Sequence, residues 1–398
     1  MKMEIPNHVK YIVNTLEASG YEAYIVGGCV RDVIRQVPPK DWDIATSATP
    51  TQAKALFQRT VDTGIKHGTI TVLLDKQHYE VTTYRIDGQY LDNRRPETVS
   101  FTSDIQEDLS RRDFTMNAIA YNPSTGFQDP FGGREDIEKG MIRCVGNPLL
   151  RFGEDALRML RAIRFAAVTG YALCPELVAA IEELSPNLQH ISPERIREEM
   201  GKLLTAPHPQ ALESLGGTGL LPFILPYRGN LTQVASWLAQ CPPKETMRTA
   251  LFLHGNEWPT TDQTLRDLRY DNKFIKETLL YLGMLPTPFP RDAYGIKKIL
   301  RHVPQDLFSH ILCLKGIVAP GLVAALEEIG ATAQAIHAAG ECYTLKALKV
   351  NGKDIAALGV ETGTHIGQVL EYLLDFVMAN PQENDRDTLL ALALGKVK

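Results

Sequence analysis

The hydrophobic pattern changes character once along this chain, and that change constrains the fold more than any other feature. Before about Asn147, short β-branched and apolar runs alternate with helical stretches. Beyond it, residues 151–205 and most of 206–398 repeat apolar residues at helical spacing. Turn breaks fall near Pro207/Pro209, Pro222–Pro226, Pro242-Pro243, Pro286–Pro290 and Gly316–Gly321. The pattern reads as an α+β protein: an N-terminal head of small mixed sheet with helices, then an all-helical remainder. At roughly 150 residues per domain, 398 residues suggest two to four domains.

Within the head, Pro6–Ser19 reads as an amphipathic helix and Ala23–Val26 as a buried strand ending in the turn Gly27-Gly28. A helix over Val30–Arg35 is stopped by Pro38-Pro39. Asp41–Ala45 is a second strand and Thr51–Phe57 a further helix. Gly68–Leu74 and His78–Tyr84 form a hairpin across Asp75-Lys76-Gln77. Asp87–Glu97 lacks periodicity and reads as a loop; Asn117–Tyr121 and Met141–Val145 are short strands.

Hydrophobic residues at 44% and charged residues at 22% exclude a disordered or fibrous chain. Net charge is −5, so any nucleic acid must be held by a local basic patch. Six cysteines without a CxxC pair suggest neither a zinc site nor a disulfide framework, and a reducing cytoplasm is expected. The N-terminus shows no signal-peptide core, and no run of about 18 apolar residues predicts a membrane span.

The first chemical signal is Asp41-Trp42-Asp43. On a strand, residues i and i+2 share a face, so both carboxylates converge while Trp42 turns away. Paired desolvated acids repel unless a divalent cation sits between them, and Mg²⁺ takes one or two carboxylates plus substrate phosphates. The competing reading is a solvated strand end. Upstream, Gly27-Gly28 lets backbone N–H groups approach a polyphosphate at a helix N-terminus, and Arg31 can offer a fork to phosphate oxygens.

A second signal is Arg111-Arg112-Asp113-Phe114-Thr115-Met116-Asn117-Ala118, a polar half that could face a nucleotide beside an apolar half that packs inward. The third is Glu154-Asp155-Ala156-Leu157-Arg158-Met159-Leu160-Arg161-Ala162-Ile163-Arg164-Phe165. Asp155, Arg158, Arg161 and Arg164 step by three and form one stripe on a helix. One reading is a solvated face laced by Asp–Arg pairs. The other uses donors and acceptors. A carboxylate accepts from the exocyclic amine of cytosine or adenine, and a guanidinium donates to the adjacent ring nitrogen. Uracil and guanine present an oxygen to the carboxylate and are repelled. Asp155 with Arg158 could then accept CTP and ATP without a nucleic-acid template.

Together these motifs resemble the polymerase-β-like nucleotidyltransferase head, and more closely the class II tRNA nucleotidyltransferases (CCA-adding enzymes) with their bacterial poly(A) polymerase relatives. Gly27-Gly28-x-Val30-Arg31-Asp32, Asp41-x-Asp43, the RRDFTxNA run from Arg111 and the EDxxR run from Glu154 carry the resemblance. It implies that Asp41 and Asp43 are catalytic and hold Mg²⁺, and that Gly28, Arg31, Arg112, Asp113, Asp155, Arg158, Arg161 and Arg164 bind the nucleotide. Arg112 would touch the nucleotide and Asp113 lie near its ribose. The implied partners are the tRNA acceptor end, CTP and ATP. The implied organisation is a head at 1–146, a neck at 147–205 for nucleobase recognition, a body at 206–340 and a tRNA-binding tail at 341–398.

Weaker resemblances accompany these. Asp129-Pro130-Phe131-Gly132-Gly133 is similar to a head–neck hinge. Glu194-Arg195-x-x-x-Glu199 is similar to a neck-helix motif and reads as a structural ion-pair element. The loop Gly88–Thr98, with Asp92, Arg94, Arg95 and Pro96, matches a flexible loop that CC-only members lack in its arginine-containing form. Asn351-Gly352-Lys353-Asp354, with Gly363 and Gly367, resembles a tail signature, and Lys346, Lys349 and Lys353 lie close by. His254-Gly255 departs from a His-Asp phosphohydrolase motif, so no such activity is expected. The expected activity is addition of C, C and A to the tRNA 3′ end with release of pyrophosphate. An A-adding enzyme, a poly(A) polymerase and a catalytically silent RNA-binding module are the rivals.

Overall fold

A computed structural model of the chain describes residues 3–88, 98–256, 258–360 and 364–397. The chain divides into two compact units, Met1–Ala239 with Gly255–Tyr270, and Gln240–His254 with Asp271–Lys398.

The first unit is built on a seven-stranded mixed sheet. Its strands are β1 (Ala23–Val26), β2 (Asp43–Thr46), β3 (Thr60–Gly64), β4 (Thr69–Leu74), β5 (Gln77–Thr83), β8 (Ala120–Asn122) and β9 (Gly126–Gln128), in the order β3-β4-β5-β2-β1-β8-β9. A separate ribbon pairs β6 (Arg85–Asp87) with β7 (Val99–Phe101). β1 and β2 run antiparallel, placing Val26 opposite Asp43, and β2 runs parallel to β5, placing Asp43 opposite Glu80. The helix α1 (Asn7–Ala18) turns Val9, Ile12, Val13 and Leu16 into the core, the spacing of a single apolar stripe. Thr49 and Gln52 close a capping box on α3 (Pro50–Leu56). The β4–β5 hairpin turns on Asp75 and Lys76, both at positive φ, as a tight two-residue hairpin turn requires.

Several predicted elements are shorter or differently placed. β2 starts at Asp43, so Asp41 precedes the strand. Asp87 belongs to β6, while 89–97, including Asp92, Arg94, Arg95 and Pro96, lie outside the described residues. The Asn117–Tyr121 strand is a 3-10 turn, Thr115–Asn117, followed by β8, because the Asn117 side chain is held by Arg31 and Asp113. β10 (Met141–Ile142) and β11 (Ala172–Leu173) form a small parallel pair.

The head continues through α2 (Gly28–Ile34), α4 (Ile105–Ser110) and α5 (Gly133–Lys139) into α6 (Pro148–Glu154), α7 (Leu157–Thr169), α8 (Pro175–Leu184) and α9 (Pro193–Leu204). The predicted four-residue stripe is interrupted. Asp155 leaves the helical region at φ −142° and ψ 102°, and its carboxylate accepts the Leu157 N–H at 3.1 Å, at the start of α7. Only Arg158, Arg161 and Arg164 share α7.

The second unit is helical among its described residues. Part of its core gathers Ile355, Leu373, Leu374, Val377, Leu389 and Ala393. Buried Lys297 donates to the Met378 carbonyl at 2.8 Å and pairs with Glu341. His254, just past the helix Glu245–Leu253, is half-buried, which depresses its imidazole basicity. All six cysteines are unbridged. No helix of the described residues is long and apolar enough to cross a membrane.

Candidate active site

The site begins where β1 turns into α2. Gly27 sits at φ +78°, and a Cβ there would lie 3.1 Å from Arg112 Nη1 and 3.8 Å from Asp43 Oδ2. Glycine therefore serves both the backbone angle and the close approach of a cation and an anion. Cys29, next along α2, is chemically quiet: burial pushes its thiol up to about 12.

Asp43 opens β2 between Val26 and Glu80. Its carboxyl is pushed up to about 6, first by burial, then by the negative charges of Asp41 and Glu80, with Arg112 opposing. Asp41 is exposed and acts on Asp43 from the segment before the strand rather than from its face. Glu80 is a third acid that the sequence reading missed. Its signal lies in the parallel β2–β5 register, which no local spacing reveals.

Asp43, buried and with the negative charges of Asp41 and Glu80 beside it, offers carboxylate oxygen of the kind that a hard divalent cation takes. Among the described residues no group of three or more acids, histidines or cysteines is placed to hold a metal ion, so Asp41, Asp43 and Glu80 do not form a three-ligand site by themselves.

Arginines face these acids, each held by a carboxylate. Arg31, buried in α2, donates through Nε to Asp32 at 2.9 Å and through Nη1 to Asn117 at 2.8 Å. Asp108, on α4, accepts from Arg111 at 2.8 Å and Arg112 at 3.2 Å. Burial alone would raise its proton affinity, but Arg112 and Arg111 outweigh burial and hold it below the usual carboxylate range. Among the described residues Arg112 Nε is buried without a hydrogen-bond partner, and such a donor suits an acceptor brought by a ligand.

Asp113 is the most heavily engaged acid. It accepts from the Phe114 N–H at 2.8 Å, Asn117 Nδ2 at 3.0 Å and Arg161 at 2.6 Å. Burial raises its proton affinity, yet Arg161 and Asn117 carry the balance well below the usual range.

The far end of the site is set by α9. Arg195 grips Asp155 in a two-point fork, 3.2 Å to Oδ1 and 2.7 Å to Oδ2. Arg158, buried in α7, donates to the carbonyls of Arg151 and Arg111, each at 3.1 Å, and pairs with Glu154 at 2.5 Å. Glu199, buried in the same helix as Arg195, pairs with Arg164 at 2.5 Å and lies 3.6 Å from Arg161. The Glu194-Arg195-x-x-x-Glu199 motif thus sends its ion pairs outward to Asp155 and α7. The stripe is no solvated face, since Arg158 is buried and Arg161 and Arg164 are largely covered.

These parts share one cleft of about 690 Å³. Gly27, Gly28, Asp43, Arg31, Arg112, Asp113, Asp155, Arg158 and Arg161 all line it. So do Arg195 and Phe165, which the sequence reading did not place there. Its wall carries seven arginines against four aspartates, a local positive excess in a chain whose net charge is −5. Asp41 and Arg164 are not among its lining residues.

Residues 23–143 match the family described as the poly A polymerase head domain, and residues 170–229 match the probable RNA and SrmB-binding site of polymerase A. Fold and site together define a nucleotidyltransferase of the poly(A) polymerase head type. A CCA-adding enzyme of Geobacillus stearothermophilus is 37% identical over 396 residues, covering 96% of this chain and 94% of that one. Another, from Geobacillus thermodenitrificans, is 45% identical over 288 residues, 70% of each chain. The crystal structure of the Bacillus stearothermophilus CCA-adding enzyme in complex with CTP superposes with a TM-score of 0.87 at 34% identity, covering 99% of this chain and 98% of that one. The chain belongs to the CCA-adding enzymes, the tRNA nucleotidyltransferases of this class.

Proposed function

We propose that this enzyme adds C, C and A in turn to the 3′ end of tRNA from CTP and ATP, releasing pyrophosphate, with base choice made by Asp155 and Arg158. The observation that carries the reading is the single cleft holding Asp43 and the Gly27-Gly28 turn together with Asp155 and Arg158. Relatives whose names and structures refer to CCA addition, CTP, ATP and tRNA support it.

Asp41 and Asp43 would hold Mg²⁺, with Glu80 adding negative charge beside Asp43. When bound, a divalent pair supplies Lewis acidity toward the primer hydroxyl and neutralises charge on the triphosphate. Gly28 and Arg31 present donors to the phosphates, and Arg112 brings to the nucleotide an Nε–H that has no partner among the described residues. Asp113 acts mainly by fixing Asn117 and Arg161, because its oxygens already accept from them. Arg161 faces the cleft from this hold, and Arg164 supports it from Glu199.

The Asp155 carboxylate offers about four lone-pair directions. Arg195 takes two and the Leu157 N–H a third. The remaining direction suits one N–H of an exocyclic amine, and Arg158 donates to the ring nitrogen beside it. A uracil or guanine oxygen at that place would meet the carboxylate as a second acceptor, and UTP and GTP are rejected.

We also propose the division into head (1–146), neck (147–205), body (206–340) and tRNA-binding tail (341–398), and a cytoplasmic location. Incubating the protein with tRNA ending at the discriminator base, and with each of the four nucleotides separately and in order, tests the function. Two C additions from CTP alone, then one A after ATP, is the expected result. No incorporation from CTP would indicate an A-adding enzyme, long tails from ATP alone a poly(A) polymerase, and no incorporation at all a silent binder.

A further inference from the structure

Phe165 has surroundings that a simple core residue does not need. It is buried, 5% exposed, yet lines the cleft. The guanidinium carbons of Arg31, Arg161 and Arg164 lie 5.2, 5.5 and 3.8 Å from its ring centre. Phe114 meets the ring edge-on at 5.6 Å. Each cation also has its own acid, Asp32 for Arg31, Asp113 for Arg161 and Glu199 for Arg164.

Three like charges around one point repel, and the paired carboxylates do not span all three: Glu199 reaches Arg164 and, at 3.6 Å, Arg161, while Arg31 is held by Asp32. The negative face of an aromatic ring attracts all three. It thereby ties α2, which follows the Gly27-Gly28 turn, to α7 and, through Arg164 and Glu199, to α9. Leucine would fill similar space but offers no such face.

Resting on the function proposed above, we infer that Phe165 is a positioning residue for the polyphosphate: its ring sets Arg31 and Arg161 as one cationic wall for the triphosphate of the incoming nucleotide and the departing pyrophosphate. Arg164, off the cleft wall, anchors the ring to Glu199. The role concerns the phosphate end common to both substrates and leaves base choice untouched.

The test replaces Phe165 by phenylalanines of increasing fluorination, which keep the ring shape and drain its negative face, and adds Phe165→Leu. The readouts are the inhibition constant of inorganic pyrophosphate, KM for CTP and for ATP, KM for tRNA, and the melting temperature. Pyrophosphate inhibition and both nucleotide KM values should weaken stepwise and by the same factor, reaching about five- to thirtyfold in the leucine variant. KM for tRNA and the melting temperature of the fluorinated series should hold. Unchanged pyrophosphate inhibition across the series would overturn the inference. So would a change confined to one nucleotide, or one that follows the melting temperature. Should Phe165→Leu not fold, the fluorinated series decides alone. Failure here with normal C, C and A addition by the wild type removes only the role of Phe165. Failure of the wild type to incorporate CTP removes the functional reading instead.

Discussion

Asp43 trades stability for chemistry. Its folded proton affinity, about 6, lies above the ordinary 3.8, so folding favours the protonated form. That contribution is present in full below about pH 4 and is lost as pH rises through 6. At pH 7 without divalent ions, Asp43→Asn should therefore stabilise the protein by about 1–2 kcal/mol while abolishing nucleotide incorporation. Adding Mg²⁺ should raise the melting temperature of the wild type and leave that of the variant unmoved; thermal melts with and without Mg²⁺ check both halves. Arg195→Gln should loosen Asp155, lower kcat/KM for CTP and ATP by about 10- to 100-fold and narrow the preference over UTP, measured by single-nucleotide incorporation. Asp113→Ala takes from Arg161 its nearest carboxylate and from Asn117 an acceptor, and a loss of about 1–3 kcal/mol is expected in denaturant unfolding.

The residues that touch the cleft were largely legible because their motifs are contiguous in sequence. Glu80, Asp108 and Phe165 were not legible as site residues. Their roles depend on a strand register, a helix turn and a three-cation cluster, none of which is a local spacing.

At the scale of elements, the predicted helices and strands of the head hold where apolar periodicity is strong, as in α1 and the β4–β5 hairpin. They fail where a side chain competes with the backbone. Asn117 breaks its predicted strand by bonding Arg31 and Asp113, and Asp155 breaks the α6–α7 run by accepting the Leu157 N–H. The Asp129–Gly133 turn, which sequence alone reads as a plain break, is a packing joint. A Cβ on Gly133 would fall 2.1 Å from the Thr115 carbonyl oxygen and 2.9 Å from the Ile119 side chain. Gly133→Ala must push α5 off the Thr115–Asn117 turn. A cost of about 3 kcal/mol or more is expected, read as a lowered melting temperature together with reduced kcat, since Asn117 sits on the displaced turn.

At the scale of the whole molecule, charge is arranged rather than abundant. The chain is acidic overall, but the cleft wall has an arginine excess. Raising salt from about 50 to 200 mM should weaken tRNA binding by about tenfold or more. KM for CTP should rise far less, because covered charges are screened weakly; filter binding and steady-state kinetics separate the two. The two-unit division was not legible, since the helical periodicity after Asn147 is continuous in kind and says nothing about which helices cluster.

That division has a consequence for how the molecule is made. The polypeptide passes from one unit to the other after Ala239, returns at Gly255 and leaves again after Tyr270. The returning stretch is seated on the first unit: Asn256 accepts the Arg228 N–H at 3.0 Å, Arg197 donates to the Arg269 carbonyl, and Arg197 lies over Tyr270 at 5.8 Å. A nascent chain therefore cannot finish its catalytic half until residue 270 has left the ribosome, by which time the opening helix of the other half is already outside and waiting for partners not yet translated.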